Sequence, residues 1–167
     1  MMIALILKKR DDLDRQIYLY DTFEGMSSPT IVDQTAFGEN AAELLEKHGK
    51  LSKRSIWFDS SLEEVKENMR LTFYPEDKMA FVKGKVEDTL ASNVPIVIAL
   101  LRLDTDWYES TKVELEILYP LLKPKGVLII DDFGHWEGAK KAVLKYFNGA
   151  APLLHRIDNT GRIMVKE

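Results

Sequence analysis

Apolar residues fall along this chain in short unbroken runs, separated by charged segments with helical spacing. The two strongest runs are Ile96–Leu103 and Val127–Ile130, and aspartates follow each directly. A run that is aliphatic at successive positions predicts a strand buried on both faces, as in a parallel sheet. Parallel neighbours need a crossover, usually a helix, and the segment between Asp106 and Pro124 has helical spacing. The stretch from Pro95 to Trp136 therefore predicts strand, helix, strand. Upstream, Met1–Arg10 predicts the tail of a helix, Asp11–Arg15 a polar turn, and Gln16–Tyr20 a strand. A helix is predicted at Asn40–His48, stopped by Gly49. Asp59, Ser60 and Ser61 offer N-caps for a helix whose apolar stripe is Leu62, Val65 and Met69, with Glu63 or Glu64 in its first turn. Tyr74-Pro75 breaks that helix, and Met79–Lys83 is the next strand. Downstream, Gly138–Phe147 predicts a helix ended by Asn148-Gly149. Leu153–Ile157 and Arg162–Lys166 predict an antiparallel hairpin across Asp158, Asn159, Thr160 and Gly161.

Alternating strands and helices predict an α/β fold with a doubly wound, mostly parallel sheet, closed by that C-terminal antiparallel hairpin. The 167 residues form one expected domain, 1–167, long enough for a sizeable core. A net charge of −4 gives no electrostatic case for nucleic acid or an anionic membrane as partner. The absence of cysteine excludes a disulfide framework and thiolate metal sites and suits a reducing, cytoplasmic setting. The opening MMIALILKKRDD carries its positive charge after a short apolar run, the reverse of a signal peptide, and the run is too short to span a bilayer.

The candidate chemistry lies at the strand ends. Asp104 and Asp106 follow the first aliphatic run, and Asp131 and Asp132 follow the second. In open α/β sheets, ligands bind at the carboxyl edge of the strands. If the two strands are neighbours, Asp104, Asp131 and Asp132 converge, and carboxylates that close repel unless a cation neutralises them. An all-oxygen set without cysteine or clustered histidine favours a hard cation, Mg²⁺ or Ca²⁺. The competing reading makes Asp104 and Asp106 caps of the next helix and Asp132 a cap of the one after. Asp106 and His135 are the two candidate bases beside such a cation. Trp107, Tyr108 and Trp136 flank the cluster, as an aromatic pocket lining or as core. At the other strand ends, Asp21 is placed to receive ribose hydroxyls with Phe23 beside it, and Gly84 and Val86 to frame a base.

The blocks YDTFEGM, SSLEEVKENM, FVKGKVEDTL, LRLDTDWYESTKVELEILYPLLKPKGVLIIDD and FGHWEGAKKAV resemble the macrocin O-methyltransferase family. Its members are metal-dependent class I S-adenosylmethionine (SAM) methyltransferases that act on macrolide sugars and related natural products. The resemblance runs from Ile17 to Phe147. It implies a Rossmann-like fold with Mg²⁺ held by Asp104, Asp131 and Asp132, and Asp106 as general base. It further implies SAM at Asp21, Thr22 and Phe23 on its ribose side and at Gly84 and Val86 on its adenine side. The acceptor would be a hydroxyl of a small sugar or natural product, attacking the SAM methyl in line, with a homo-oligomer an open possibility.

The sequence departs from that family at one place. The glycine-rich turn of the family's first strand has no counterpart here, since no G-x-G-x-x-G occurs. The expectation is a family member without its first strand and N-terminal third, whose sheet has two unpaired inner edges. Two alternatives accompany the enzyme reading. One is a catalytically inactive methyltransferase fragment that binds another chain through its exposed edge. The other takes Asp104-Thr105-Asp106 as the DxD of a haloacid-dehalogenase-like phosphatase.

Overall fold

The computed structural model describes residues 1–48, 60–148 and 152–167. Its elements follow the predicted order: α1 (Met2–Lys9), β1 (Ile17–Asp21), α2 (Ala41–His48), α3 (Leu62–Arg70), β2 (Met79–Lys83), α4 (Val86–Thr89), β3 (Ile98–Leu103), α5 (Tyr108–Leu118), β4 (Leu122–Ile130), α6 (Glu137–Tyr146), β5 (His155–Arg156) and β6 (Arg162–Val165). The short α4 was not foreseen. Gly49, Asp59 and Gly149 lie outside the described residues.

Local chemistry accounts for the boundaries. Ser61 and Glu64 form a capping box at α3: the Ser61 Oγ accepts the Glu64 amide at 3.3 Å and the Ser61 amide donates to Glu64 Oε2 at 2.9 Å. Asn40 caps α2, its Oδ1 accepting the Ala42 amide at 2.9 Å. The hairpin turn is held by Asp158, whose Oδ1 accepts the amides of Thr160 and Gly161.

Two strand boundaries differ from expectation. Ile96 and Val97 lie outside β3 and are exposed, because pairing begins only at Ile98↔Leu122. β4 starts five residues earlier than the aliphatic run Val127–Ile130, taking in Pro124 and Gly126. A register shift between Ile98 and Leu100 absorbs these strand-breaking residues, with Lys125 at φ +65°. At the other end, only His155 and Arg156 of the predicted Leu153–Ile157 pair with β6.

The strands form two sheets. β1 and β2 pair in parallel, from Ile17↔Met79 to Asp21↔Lys83. The second sheet has the order β3-β4-β6-β5, with β3 and β4 parallel and the hairpin antiparallel on the far side of β4. Among the described strands, β1 and β3 are edges of their sheets, as are β2 and β5. The main core fills the space between the second sheet and its helices, with Leu101, Leu103, Leu115, Leu128, Ile130 and Val143 buried. A smaller core joins α1, α3 and β2 through Ala4, Met69, Tyr74 and Met79. Tyr20 of β1 packs against the main core, and its hydroxyl donates to the Asn93 carbonyl.

A segment without regular structure, residues 22–40, ties the halves together. Asp33 at its centre is fully buried. Its Oδ2 accepts the Thr30 amide at 2.7 Å and the Thr30 hydroxyl at 2.8 Å, and its Oδ1 accepts the Tyr108 amide at 2.8 Å. The Ala36 amide donates to the His135 carbonyl and the Glu137 amide to the Gln34 carbonyl. The loop is thereby fastened to the starts of α5 and α6.

Candidate active site

β3 and β4 are parallel neighbours in register Leu103↔Ile130, so the residues that follow them emerge side by side. The Asp131 amide donates to the Leu103 carbonyl at 3.0 Å, which extends the ladder to the first aspartate of the pair. Asp104, Asp131 and Asp132 each present a carboxylate oxygen, and all three oxygens lie within 4.8 Å of one another. The convergence inferred from the two aliphatic runs is therefore present.

These aspartates are not helix caps. The N-cap positions of α5 and α6 are Trp107 and Trp136. The first amide of α5, that of Tyr108, is satisfied instead by Asp33 from the distant loop. Asp106 accepts a hydrogen bond from the Trp136 indole, Nε1 to Oδ1 at 2.9 Å.

Asp106 sits at φ +66°, a left-handed conformation that Asp tolerates but that costs free energy unless its surroundings hold it. Its neighbours are fixed on every side. The Trp107 amide donates to the Thr105 carbonyl at 2.7 Å, and the Ser110 hydroxyl donates to the same carbonyl at 3.1 Å. The Thr105 hydroxyl donates to Glu114 Oε2 at 2.8 Å. The strained residue thus points its carboxyl into the cluster.

Burial raises the pKa of Asp104, Asp106 and Asp132 above the usual carboxylate range, and the neighbouring carboxyls raise each further. Asp104, Asp106 and Asp132 all stand within electrostatic reach of Asp131 or of one another. Carboxyl groups this close cannot all ionise without a counter-charge. One is already present: Arg102, on β3, donates from Nη1 to Asp104 Oδ2, and its Nη2 lies 3.1 Å from Asp131 Oδ2. The three carboxylates, a donor set made of oxygen only, fit a hard divalent cation.

Glu114 lies behind this loop and is buried, which pushes its carboxyl up to about 8. Raised above its unfolded value, this group supports the fold fully below about pH 4 and less and less as pH rises through about 8. Glu114→Gln keeps an acceptor for Thr105 and removes the titration. The variant is expected to gain on the order of 2–4 kcal/mol over the parent at pH 9, at about 1.4 kcal/mol per unit discounted for relaxation, and to match it near pH 4. Thermal unfolding across that range checks this; parallel stability curves would remove the buried-carboxyl account.

The other predicted residues lie as follows. Asp21 ends β1 and turns its Oδ1 back to accept the Phe23 amide at 2.7 Å. Thr22 donates to the Gly25 carbonyl, and Phe23 is buried at φ +53°. The Gly84 amide donates to the Asp21 carbonyl at 2.9 Å, so the ends of β1 and β2 stand together. Gly84 has φ +135°, and a Cβ there would meet Thr89 at 2.9 Å. Val86 opens α4 and is buried. His135 is exposed and lies edge-on to Trp136, ring centroids 4.6 Å apart. Trp107, Tyr108 and Trp136 are buried, so their bulk is core. Trp107 meets Trp136 edge-on at 4.9 Å, and its indole donates to the Ser27 carbonyl at 2.9 Å.

Three residues of this region escaped the sequence reading. Arg102 had a visible signal, since two-residue spacing on a strand puts it on the side of Asp104. Glu114 had a faint one, a glutamate between the apolar positions Val113 and Leu115. Asp33 had none.

The family model described as Macrocin-O-methyltransferase (TylF) matches residues 1–166. Over 163 residues the chain is 32% identical to an 8-demethyl-8-(2,3-dimethoxy-alpha-L-rhamnosyl)-tetracenomycin-C 4'-O-methyltransferase of Streptomyces olivaceus, covering 96% of this chain and 59% of that protein. Over 141 residues it is 31% identical to a demethyldecarbamoylnovobiocin O-methyltransferase of Streptomyces niveus, covering 84% and 50%. Among solved structures, the O-methyltransferase NovP superposes with a TM-score of 0.79 at 29% identity, over 99% of this chain and 65% of that one. The calicheamicin methyltransferase CalS11 shares the fold, with a TM-score of 0.69 at 18% identity over 98% and 65%. The chain thus spans about half to two thirds of the length of these relatives. The match sets aside the phosphatase reading of Asp104-Thr105-Asp106.

Proposed function

Since the chain belongs to the macrocin O-methyltransferase family, we propose that it acts as a SAM- and Mg²⁺-dependent O-methyltransferase on a hydroxyl of a sugar or natural product. The observation that carries this reading is the convergence of Asp104, Asp131 and Asp132 on one point at the carboxyl edge of β3 and β4. The acceptor class follows the names of its relatives, O-methyltransferases of a rhamnosyl-bearing tetracenomycin, of demethyldecarbamoylnovobiocin and of mycinamicin III.

In this reading Asp104, Asp131 and Asp132 hold the cation. A divalent cation there would orient the acceptor hydroxyl and lower its pKa. Asp106 takes the hydroxyl proton: burial and neighbouring carboxyls make its carboxylate more basic than usual, and Trp136 fixes its orientation. His135, exposed beside Trp136, is the second candidate for that proton. Trp136, which holds Asp106, is itself braced edge-on by Trp107. SAM supplies the methyl group. Asp21, Thr22 and Phe23 would hold its ribose side, and Gly84 and Val86 its adenine side; the adjacent ends of β1 and β2 support that assignment. Its methionine part has no glycine-rich turn to meet in this sequence. Holding acceptor and methyl donor in line supplies much of the remaining rate.

The test is calorimetric titration of the purified chain with SAM, with and without Mg²⁺. Binding that strengthens with Mg²⁺ is expected. A folded chain that binds no SAM under either condition would overturn the reading for this polypeptide and leave the inactive methyltransferase-like fragment.

A further inference from the structure

We propose that Arg102 and a divalent cation compete for the same carboxylates, so that the guanidinium is a resident counter-ion that sets how tightly the metal is held. This rests on the metal reading given above. Strand β3 alternates buried Leu101 and Leu103 with exposed Leu100 and Arg102, which sends the Arg102 side chain along the side from which Asp104 emerges. One guanidinium nitrogen hydrogen-bonds Asp104 Oδ2 and another lies 3.1 Å from Asp131 Oδ2. Those carboxylates are two of the three that could hold a cation. The fork matches carboxylate geometry, so the pairing is more specific than a lysine could make.

The charge balance sets the two cations against each other. Three aspartates and one guanidinium leave the site with less negative charge than the aspartates alone would give. A metal ion entering must displace the guanidinium or accept a positive neighbour. In a water-like dielectric, a unit charge about 5 Å from a divalent cation weakens binding by roughly tenfold, and a less polar crevice increases the effect. Asp104, Asp131 and Arg102 are each about 40% exposed, so the water-like limit sets the minimum size of the effect. Once displaced, Arg102 is free beside the bound metal.

The experiment is Mn²⁺ titration of the full chain, followed by electron paramagnetic resonance, for the parent, Arg102→Gln and Arg102→Lys. Arg102→Gln is expected to bind Mn²⁺ about tenfold more tightly. Arg102→Lys keeps the charge but loses the fork, and is expected to fall between that variant and the parent. Melting curves provide a second readout: metal should raise the melting temperature of Arg102→Gln by more than that of the parent. If the parent binds Mn²⁺ and neither variant binds it more tightly, competition is overturned while the metal site stands. If none of the three binds Mn²⁺, the metal reading fails, and the guanidinium is the permanent partner of these carboxylates. Should Arg102→Gln not fold, Arg102→Lys binding no tighter than the parent is enough to overturn the proposal.

Discussion

On the proposed function, Asp132→Asn is expected to lower methyl transfer by about a thousandfold or more while leaving the metal-free protein as stable as the parent or more so. The loss follows from the role proposed for the metal, which would contribute several kcal/mol of charge stabilisation at about 1.4 kcal/mol per factor of ten. The unchanged or improved stability follows from electrostatics. Asp132 is held above the usual carboxylate range by burial and then by Asp106 and Asp131. A group raised in this way favours the fold below its unfolded pKa, and its contribution is lost as pH rises through the folded value. At pH 8 an amide that cannot ionise therefore removes a liability. Activity assays, Mn²⁺ binding and melting curves on one preparation check the combination. A variant that loses activity and stability together would instead make Asp132 a structural residue, and the loss of rate would say nothing about a metal.

Gly138→Ala is expected to destabilise the chain by about 3 kcal/mol, combining the usual costs of overpacking and of losing a buried charged hydrogen bond. A Cβ at Gly138 would lie 2.0 Å from Asp33 Oδ1 and 3.2 Å from the Tyr108 backbone nitrogen. The carboxylate would have to move, and with it the bond that satisfies the first amide of α5. For a chain of this size the drop in melting temperature is roughly 10 °C. A double-mutant cycle isolates the mechanism. In an Asp33→Ala background the added methyl should cost much less, because the group it strikes is gone. Equal costs in both backgrounds would place the penalty in the α6 backbone and not in the Gly138–Asp33 contact.

Much of this site was legible because strand patterning and chemistry coincide. Aliphatic runs that end in aspartate announce both a buried parallel strand and its ligand edge, and Asp104, Asp131 and Asp132 meet as that pattern implies. The α3 capping box was readable for a related reason, since Ser61 and Glu64 satisfy backbone groups within four residues of chain. What escaped depends on partners far along the sequence. Asp33 lies in a segment with no periodicity and bonds an amide 75 residues away. Glu114 sits at an ordinary helical position, and its burial comes from the Thr105 loop folding over it. The Trp136 indole selects Asp106 across 30 residues. The early start of β4 was hidden because Pro124 and Gly126 argue against a strand, and only the bulge opposite β3 admits them.

The division of the strands into two sheets bears on how the molecule comes apart. β4 is flanked by β3 and β6 and buries Leu128 and Ile130, so opening it means dismantling the main core. β1 and β2 share no ladder with that sheet; among the bonds linking the halves are the Tyr20 hydroxyl and the fastenings of residues 22–40. Cooperative units tend to follow such seams. The β1–β2 half, which carries the residues proposed to hold the nucleoside, can therefore fray while the carboxylate cluster on β3 and β4 keeps its shape. Loss of one of the two proposed binding functions need not accompany loss of the other.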